Sequence, residues 1–402
     1  MRIKILHFTK NTYNVCKYFF IVWMSKKKIV TIWGWNGQSN LLDALYQYLP
    51  KDIQISSIVS MSDDGRTTGE LMRKFQEELG LHLPPPGDLR RCLFMMSGSS
   101  RRDEFQQYLE TVIERDITIS GLTVWDYFRL VGAWEDFREF IKQTDQFFLD
   151  FTLPLSSSIK WHKVGNILMA NLYYNLDKDY NKMLDLMHLL LQVQATIIPV
   201  TTKKAYIKAI LWNGEVIETQ DRISNVASYT SGISDLELME DSKHAYQHKD
   251  VFKAIKKADY IIIAPWDLFT SIISNFVIGG VQEVIKKTEA KIIYIGNSTN
   301  KWGETQWLTY LDFINKVERF LGRKIDIFIS NNKKIQLSQR EREKFQSHIS
   351  IKGGDFLFLS EGEKRELERR KIRYIEADLL DRESLYKHDK KTIANLLEQI
   401  IS

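Results

Sequence analysis

Short runs of apolar, β-branched residues recur along the chain, and several of them end in a cluster of small and polar residues. Runs too short for helices indicate strands that are buried on both faces, as in a parallel sheet. We therefore expect an α/β fold, with a Rossmann-like, mostly parallel sheet, helices on both faces and a helical insertion. The predicted strands are Ile29–Trp33, Ile53–Val59, Ile197–Thr201, Tyr260–Ala264, Lys291–Gly296, Ile325–Ser330 and Tyr374–Glu376.

The loop Ser62–Gly69 follows the second predicted strand and leads into a predicted helix, Glu70–Leu79. Its glycines allow a close backbone approach, and the N-terminus of the helix attracts anions. Two adjacent carboxylates, Asp63 and Asp64, open the loop and would repel a bare phosphate. They suit binding of a metal, binding of sugar hydroxyls or proton transfer, and the alternative is that both merely cap the turn and the helix.

Two further stretches have the pattern of an anion site. After Gly87 and Asp88, a predicted helix carries Arg90 and Arg91 in its first turn, where the helix dipole disfavours cations. An anionic ligand would explain the two arginines, because it would offset their unfavourable interaction with the helix dipole. The first strand runs into a glycine turn that contains Gly34, Asn36, Gly37 and Ser39.

Residues 101–150 are rich in aromatic side chains at helical spacing, which predicts a helical insertion over about 100–160. We expect these helices to pack beside the sheet without adding strands to it, with the aromatic stripe forming mostly core. Further along, Asn213-Gly214 between Ile207–Leu211 and Val216–Glu218 predicts a β-hairpin. Residues 219–250 are polar and read as irregular.

The composition of the chain indicates which partners and which cellular compartment to expect. The formal net charge of +5 is small for 402 residues and the lysines are dispersed, so the sequence does not indicate a nucleic-acid template. The two cysteines, Cys16 and Cys92, lack CxxC spacing, which suits a reducing cytoplasm. An apolar run, Tyr18–Trp23, is too short to span a bilayer, so no membrane partner is expected. We expect residues 1–24 to be a disordered or non-native extension, translation starting at Met24, and residues 25–402 to be the domain.

The order of several motifs resembles the CofD/YvcK-like family, which contains the gluconeogenesis-factor (YvcK) branch and the 2-phospho-L-lactate transferases. The resemblance runs from about Ile29 to the C-terminus, and the Pro-Pro-Gly-Asp-x-Arg segment favours the YvcK branch. The matching motifs are Asp63-Asp64-Gly65 with Gly69, Pro85-Pro86-Gly87-Asp88-Leu89-Arg90, His162 with Gly165-Asn166, Leu268-Phe269-Thr270-Ser271, Gly303-Glu304-Thr305 and His388-Asp389.

The chain departs from the family pattern at points where the family has glycine. Trp33 and Trp35 stand at such points in the first turn, Arg66 replaces the second glycine of the acidic loop, and Trp266-Asp267 replaces Gly-Ser. Phe269 replaces a tyrosine. Tryptophan prevents the backbone from touching a phosphate, so the resemblance leaves open how the ancestral ligand is bound. Arg66 is either a new phosphate contact or a surface arginine.

The resemblance implies a regulator of carbon metabolism and cell shape that binds a nucleotide sugar of the UDP-N-acetylglucosamine type, or a nucleoside diphosphate, and forms a homo-oligomer. The alternatives are a Mg²⁺-dependent enzyme like 2-phospho-L-lactate transferase, which moves a phospholactyl-type group from a nucleotide diphosphate, and a degenerate non-catalytic scaffold. In the enzyme, Asp63 and Asp64 would be the catalytic and metal-binding residues. The implied ligand-binding residues are Gly34, Asn36, Gly37, Ser39, Asp63, Asp64, Gly65, Arg66, Gly87, Asp88, Arg90, Asn166, Phe269, Thr270 and Ser271.

Overall fold

The structure is a computed structural model that describes residues 27–99, 102–130, 146–225, 231–347, 354–381, 384 and 387–402. The described chain divides into two compact units. The sheet unit comprises residues up to 64 and from 195 onwards, and the helical unit comprises residues 65–194. The expected extension over 1–24, the start at Met24 and part of the predicted insertion lie outside the described residues.

A parallel sheet of seven strands forms the centre of the sheet unit, in the order β10-β9-β8-β7-β1-β2-β3. Every pairing between neighbours is parallel. The predicted α/β fold is therefore confirmed, and each predicted sheet strand is present to within two residues at either end. The strands are β1 Lys28–Trp33, β2 Gln54–Val59, β3 Thr196–Pro199, β7 Tyr260–Ile263, β8 Lys291–Ile295, β9 Ile327–Asn331 and β10 Arg373–Ala377.

Helices flank this sheet because their apolar residues recur at helical spacing. The last helix, Lys390–Ile401, buries Ile393, Leu397 and Ile401 at intervals of four. The central strands are enclosed accordingly, and Ile261–Ile263 have no exposed surface. The helices of this unit are Trp35–Tyr48, Gln220–Asn225, Lys249–Lys257, Leu268–Ile273 (a π-helix), Ser274–Phe276, Val281–Lys287, Tyr310–Leu321, Gln339–Gln346, Glu361–Arg369 and Lys390–Ile401, with a 3₁₀ turn at Glu240–Ser242.

A second, antiparallel sheet of three strands has the order β5-β4-β6, with β4 Ile207–Leu211, β5 Val216–Glu218 and β6 Ile233–Leu238. The hairpin predicted from Asn213-Gly214 is confirmed as β4–β5. Strand β6 lies in the range that we expected to be irregular, and that expectation is wrong. A register shift beside Ile210 disturbs the alternation of β6, so its buried residues are three apart instead of two.

All regular elements in the described part of the helical unit are helices, which loops connect. Residues 102–130 and 146–150 add no strand to the seven-stranded sheet, as predicted for that part of the range 101–150. Phe128 and Phe148 are fully buried, so these members of the aromatic stripe form core. Within the described ranges, no helix has the length and apolar character needed to cross a bilayer. The helices are Arg66–Leu79, Gly87–Met95, Arg102–Leu109, Val124–Leu130, Val164–Asn175 and Tyr180–Leu191, with a 3₁₀ helix at Gln146–Asp150.

Candidate functional site

The strand order reverses between β1 and β7. From this point the chain continues through β2 and β3 on one side and through β8, β9 and β10 on the other. Loops therefore diverge beyond the carboxyl ends of β1 and β7 and leave a crevice, which is the usual ligand position in an open parallel sheet. The site is built from the segments that leave this edge.

The connection after β1 is a single extended residue, Gly34, with φ −141° and ψ 170°. The helix begins at Trp35, so Asn36, Gly37 and Ser39 lie in its first turns instead of forming a longer glycine turn. Their side chains, and those of the two tryptophans of this segment, lie outside the described part of the chain. The backbone places the N-terminus of this helix immediately after β1, at the point where the strand order reverses. A helix N-terminus at this position suits an anionic group.

The acidic loop after β2 is fastened to the segment after β7 by hydroxyl groups. Ser60 Oγ lies 3.0 Å from Ser62 Oγ and 3.1 Å from Ser274 Oγ. Ser62 Oγ donates to the carbonyl of Thr270 at 3.4 Å. These bonds place Asp63 and Asp64 beside the helix Leu268–Ile273, whose Phe269, Thr270 and Ser271 are buried. Within the sheet unit, the structure thus brings together two of the predicted stretches, the acidic loop and the segment Phe269, Thr270 and Ser271.

Asp64 has an unusual environment for a carboxylate. Its Oδ1 accepts the backbone N–H of Asp221 at 2.9 Å. Burial raises the pKa of Asp64 to about 6, although hydrogen bonds from the backbone of Asp221 and Gln220 oppose the rise. A carboxyl group that titrates near neutrality, at the edge of the sheet where ligands bind, is a functional candidate.

A cavity lies at the same edge, between the first helix and the segments that follow β7 and β8. Its volume is about 60 Å³. This is smaller than the roughly 300–1,000 Å³ that is common for small-molecule sites, so the cavity has room for only part of a ligand. Polar and ionisable residues dominate one wall, namely Asp267, Asn297, Lys301, Glu304, Lys387 and His388.

Lys301, Asp267 and Glu304 form a buried charged cluster in that wall. Lys301 Nζ lies 2.8 Å from Asp267 Oδ2 and 3.0 Å from Glu304 Oε2, and each side chain is at most 9% exposed. Burial raises the pKa of Glu304, and Lys301 opposes the rise. Glu304 Oε1 also accepts the backbone N–H of Phe269 at 3.3 Å, so the cluster fixes the start of the helix Leu268–Ile273.

His388 lines the cavity and has a ring nitrogen without a hydrogen-bond partner among the described residues. Burial lowers the pKa of its imidazole to about 4, while a hydrogen bond with the Gly296 backbone raises it. The Gly296 N–H already donates to Ile329, so the imidazole must donate to the Gly296 carbonyl. The remaining nitrogen, Nε2, is then an acceptor; it is buried and has no partner among the described residues, and neither has Asn297 Oδ1.

The predicted residues of the helical unit form a network of their own. Arg90 is fully buried; its Nη2 lies 2.9 Å from Glu110 Oε1, and it also bonds the side chain of Asn166. Lys163 pairs with the other oxygen of Glu110. Burial raises the pKa of Glu110, but Arg90 and Lys163 outweigh that effect and lower it. The Arg90 side chain therefore has protein partners, and ligand binding by Gly87, Asp88, Arg90 and Asn166 stays a prediction.

Arg66 has a backbone conformation that glycine adopts more readily than other residues. Its φ is +47°, in the left-handed region that favours glycine, and its side chain is exposed. The chain thus holds an arginine in a conformation that costs roughly 1–2 kcal/mol for a residue with a Cβ. Strain of this size often occurs at functional sites, which makes the Arg66 guanidinium a candidate ligand contact.

We expect Arg66→Gly to raise the free energy of unfolding by about 0.5 kcal/mol, because relief of about 1–2 kcal/mol of strain outweighs the chain entropy that glycine loses. Arg73→Gly is the matched control, since Arg73 is exposed in the interior of the same helix and its replacement should cost about 1 kcal/mol. Urea denaturation of both variants measures the difference. An equal loss in both would show that Arg66 makes stabilising contacts.

Sequence reasoning missed several residues of the site. Lys301 and Asp221 were not singled out, and Glu304 and His388 were matched to family motifs without a role. The polar cluster that begins at Asn297, directly after β8, was a usable signal. Nothing in the sequence distinguishes buried Lys301 from the surface lysines around it.

Metal binding has limited support in the structure. The described ranges contain no group of three or more His, Cys, Asp or Glu side chains placed to hold an ion. Mg²⁺ often takes one or two carboxylates together with waters and substrate phosphates, so the pair Asp63 and Asp64 fits it. The two residues would then hold the ion, which would offset the charge of a phosphate, and this role stays a prediction.

Comparison with known proteins assigns the family. A putative gluconeogenesis factor of Clostridium acetobutylicum is 26% identical over 93% of this chain and 69% of its own length. That of Thermotoga maritima is 24% identical over 93% of this chain and 99% of its own length. A crystal structure of a Bacillus halodurans protein of the UPF0052 family has the same fold, with a TM-score of 0.70 and 21% identity over 92% of this chain and 98% of that one. The profile of CofD, described as 2-phospho-L-lactate transferase, matches residues 29–380, and the chain is thus a YvcK-like member of the CofD family.

Proposed function

We propose that this protein is a regulator that binds a nucleotide sugar of the UDP-N-acetylglucosamine type and acts on carbon metabolism and cell shape. The observation that carries the proposal is the cavity beyond β7 and β8, with two buried acceptors, His388 Nε2 and Asn297 Oδ1, that lack partners among the described residues. A buried polar atom without a hydrogen bond costs about 1–3 kcal/mol. A ligand that supplies donors at this place recovers that cost.

The chemistry of the wall favours a sugar. Hydroxyl groups and an acetamido N–H are donors, and His388, Asn297 and the carboxylates of Asp267 and Glu304 are acceptors. A bare phosphate would be disfavoured here, because its oxygens are also acceptors and cannot form hydrogen bonds with these groups. The inner wall therefore suits the sugar end of the ligand.

The diphosphate has its own partners at the mouth of the cavity. Lys387 and Lys390 line the same recess, and the N-terminus of the helix that follows Gly34 lies at the same edge of the sheet. Asp63 and Asp64 then accept hydrogen bonds from ribose or sugar hydroxyls. Leu268 lines the cavity, and ligand contacts by Phe269, Thr270 and Ser271, which follow it in the same helix, are part of the proposal.

A transferase is the second candidate, and the pKa of Asp64 favours it. A carboxyl group with a pKa of about 6 is partly ionised near neutral pH and can accept a proton from an attacking hydroxyl group. In that enzyme Asp63 would hold a Mg²⁺ that offsets the phosphate charge, and Asp64 would be the residue that takes the proton. The scaffold alternative requires that no nucleotide compound binds.

Thermal-shift screening of the full chain tests the proposal. Nucleotide sugars, nucleoside diphosphates and free sugars are compared, with and without Mg²⁺. A ligand at 100 times its Kd should add about 2.7 kcal/mol to the free energy of unfolding. We expect nucleotide sugars to stabilise the protein more than the matching diphosphates, and the proposal fails if no nucleotide sugar shifts the transition.

His388→Asn identifies the site. Asparagine can keep the hydrogen bond to the Gly296 carbonyl but lacks the second nitrogen, so nucleotide-sugar affinity should fall about 3- to 10-fold, the effect of one neutral hydrogen bond. Affinity for the nucleoside diphosphate should not change. His244→Asn is the control, because His244 is exposed and lies outside the residues lining the cavity.

A further inference from the structure

Three exposed tryptophans of the sheet unit lie near one another. Trp212, Trp302 and Trp307 are 71%, 46% and 57% exposed, and we call this set the tryptophan platform. The ring centroids of Trp302 and Trp307 are 6.4 Å apart and their planes are inclined by 52°, so the two rings are not stacked on each other. Gly232 lies between Trp212 and Trp307, since a Cβ at this position would be 3.5 Å from both rings. A group of neighbouring exposed aromatic side chains is a candidate binding surface.

Hydrogen bonds hold the backbone of the platform in place. In the turn that carries two of the tryptophans, the Thr305 N–H donates to the carbonyl of Lys301 at 2.8 Å, and Thr305 Oγ1 accepts the Lys301 N–H at 3.0 Å. The Trp212 N–H donates to the carbonyl of Gly232 at 3.0 Å. The indole rings are therefore presented by ordered backbone, which lowers the entropy cost of binding a ligand.

The platform adjoins the cavity and a cation. The turn that carries Trp302 also contributes Lys301, Glu304 and Thr305 to the cavity wall. Lys316 Nζ lies 5.5 Å from the ring centroid of Trp212 and 5.3 Å from that of Phe269. It donates to the carbonyl of Ile233 at 3.2 Å and can donate further hydrogen bonds.

We propose that the tryptophan platform stacks the planar base of the nucleotide whose sugar occupies the cavity, with Lys316 facing the phosphate next to the base. The inference rests on the proposed function and extends it to a base subsite. Indole faces stack on any nucleobase, and an ammonium group beside them complements the adjoining phosphate. An apolar peptide would gain nothing from that charge, so the observations favour a nucleotide over a protein partner.

The test is calorimetric titration of the full-length protein and its variants with uridine, adenosine and guanosine diphosphates and with the corresponding nucleotide sugars. Trp302→Ala or Trp307→Ala should weaken binding of the preferred diphosphate roughly 5- to 100-fold, the range of one base–aromatic stack. Phenylalanine at the same positions should restore most of the affinity. Stacking should also quench tryptophan fluorescence in the wild-type protein.

Two controls separate the base subsite from general effects. Trp161→Ala removes a tryptophan of the helical unit that is 56% exposed and has Lys160 Nζ 5.0 Å from its ring, and it should leave affinity unchanged. Inorganic diphosphate, which has no base, should bind the wild-type protein and the platform variants equally. Lys316→Met should weaken nucleoside diphosphates and reduce the salt dependence of their binding.

The outcomes distinguish this inference from the proposed function. If nucleotide sugars bind equally well to wild type and to Trp302→Ala and Trp307→Ala, the platform is not the base subsite and the proposed function stands. If nucleoside diphosphates bind through the platform but an attached sugar adds no affinity, the base subsite is supported and the proposed function fails. If no nucleotide compound binds the wild-type protein, both are overturned.

Discussion

Lys301→Met is expected to lower the free energy of unfolding by about 3–5 kcal/mol, the typical cost of leaving a buried carboxylate without its partner. The substitution retains the aliphatic volume but removes the ammonium group that lies 2.8 Å from Asp267 and 3.0 Å from Glu304. Urea denaturation at pH 7.5 measures the loss. Lys253→Met is the control: Lys253 pairs with Asp250 at 2.9 Å but is 60% exposed, so its removal should cost less than about 1 kcal/mol.

The loss in Lys301→Met should shrink as the pH falls. Without the ammonium group, nothing opposes the rise that burial causes in the pKa of Glu304, and the protonated acid is cheaper to bury than the carboxylate. The variant should therefore be closest to wild type in acid and furthest from it in alkali. A loss that does not depend on pH would show that packing, and not charge, decides the effect.

A second substitution tests the coupling within the cluster. Asp267 stands where the family resemblance predicts serine, so Asp267→Ser removes one of the two negative charges. In the Lys301→Met background, Asp267→Ser should raise the free energy of unfolding by about 1–3 kcal/mol. In the wild-type background the same substitution should lower it, because Lys301 then keeps only one partner. A double-mutant cycle with no coupling energy would contradict the ion cluster. The cycle also reports on the helix Leu268–Ile273, because Glu304 accepts the N–H of Phe269.

The sequence predicts those strands and turns that follow from a local pattern of residues. The strands of the parallel sheet are buried on both faces, so they are continuous apolar, β-branched runs that can be recognised in the sequence. Tyr260–Ile263 is an example. Strand β6 was not predicted, because its bulge breaks the alternation of apolar and polar residues by which an edge strand is recognised. The hairpin β4–β5 was predictable because Asn-Gly specifies its turn locally.

The site depends on contacts that the sequence does not encode locally. The loop containing Asp64 could be recognised, but its hydrogen bond joins it to Asp221, 157 positions away. The burial of Lys301 likewise follows from tertiary packing, since a lone lysine in a polar loop is ordinarily exposed. Motif order could assign the family, and geometry was needed to find the charges and unpaired acceptors of the cavity.

Asp64→Asn is expected to stabilise the free protein and to weaken ligand binding. Asparagine can still accept the N–H of Asp221, and it removes the charge whose burial raises the pKa of Asp64 from 3.8 to about 6. A shift of about two units corresponds to roughly 3 kcal/mol, and incomplete burial and the weaker neutral hydrogen bond reduce the expected gain to about 1–2 kcal/mol at pH 8.

The sign of the pH dependence follows from the raised pKa. Above pH 6 the folded wild-type protein bears the cost of a buried carboxylate, and as the pH falls from 6 towards 3.8 the folded state takes up the proton first and the cost disappears. The stability advantage of Asp64→Asn should therefore be largest at pH 8 and vanish near pH 4. Protonation of His388 is common to both proteins and cancels in the difference. Asp63→Asn is the control for the loop.

Ligand binding by the same variant distinguishes the roles of the acidic pair. If Asp64 accepts a hydrogen bond from a ligand hydroxyl, Asp64→Asn should cost about 1.5–3 kcal/mol of nucleotide-sugar affinity, the typical value for a bond to a charged group, and binding should survive excess chelator. If the pair holds a catalytic Mg²⁺, chelator should abolish binding and the variant should lose turnover. If Asp64 only caps a turn, affinity should stay constant. We expect the first outcome, in agreement with the proposed function. Calorimetry of a nucleotide sugar in chelator, and then in Mg²⁺, decides among the three.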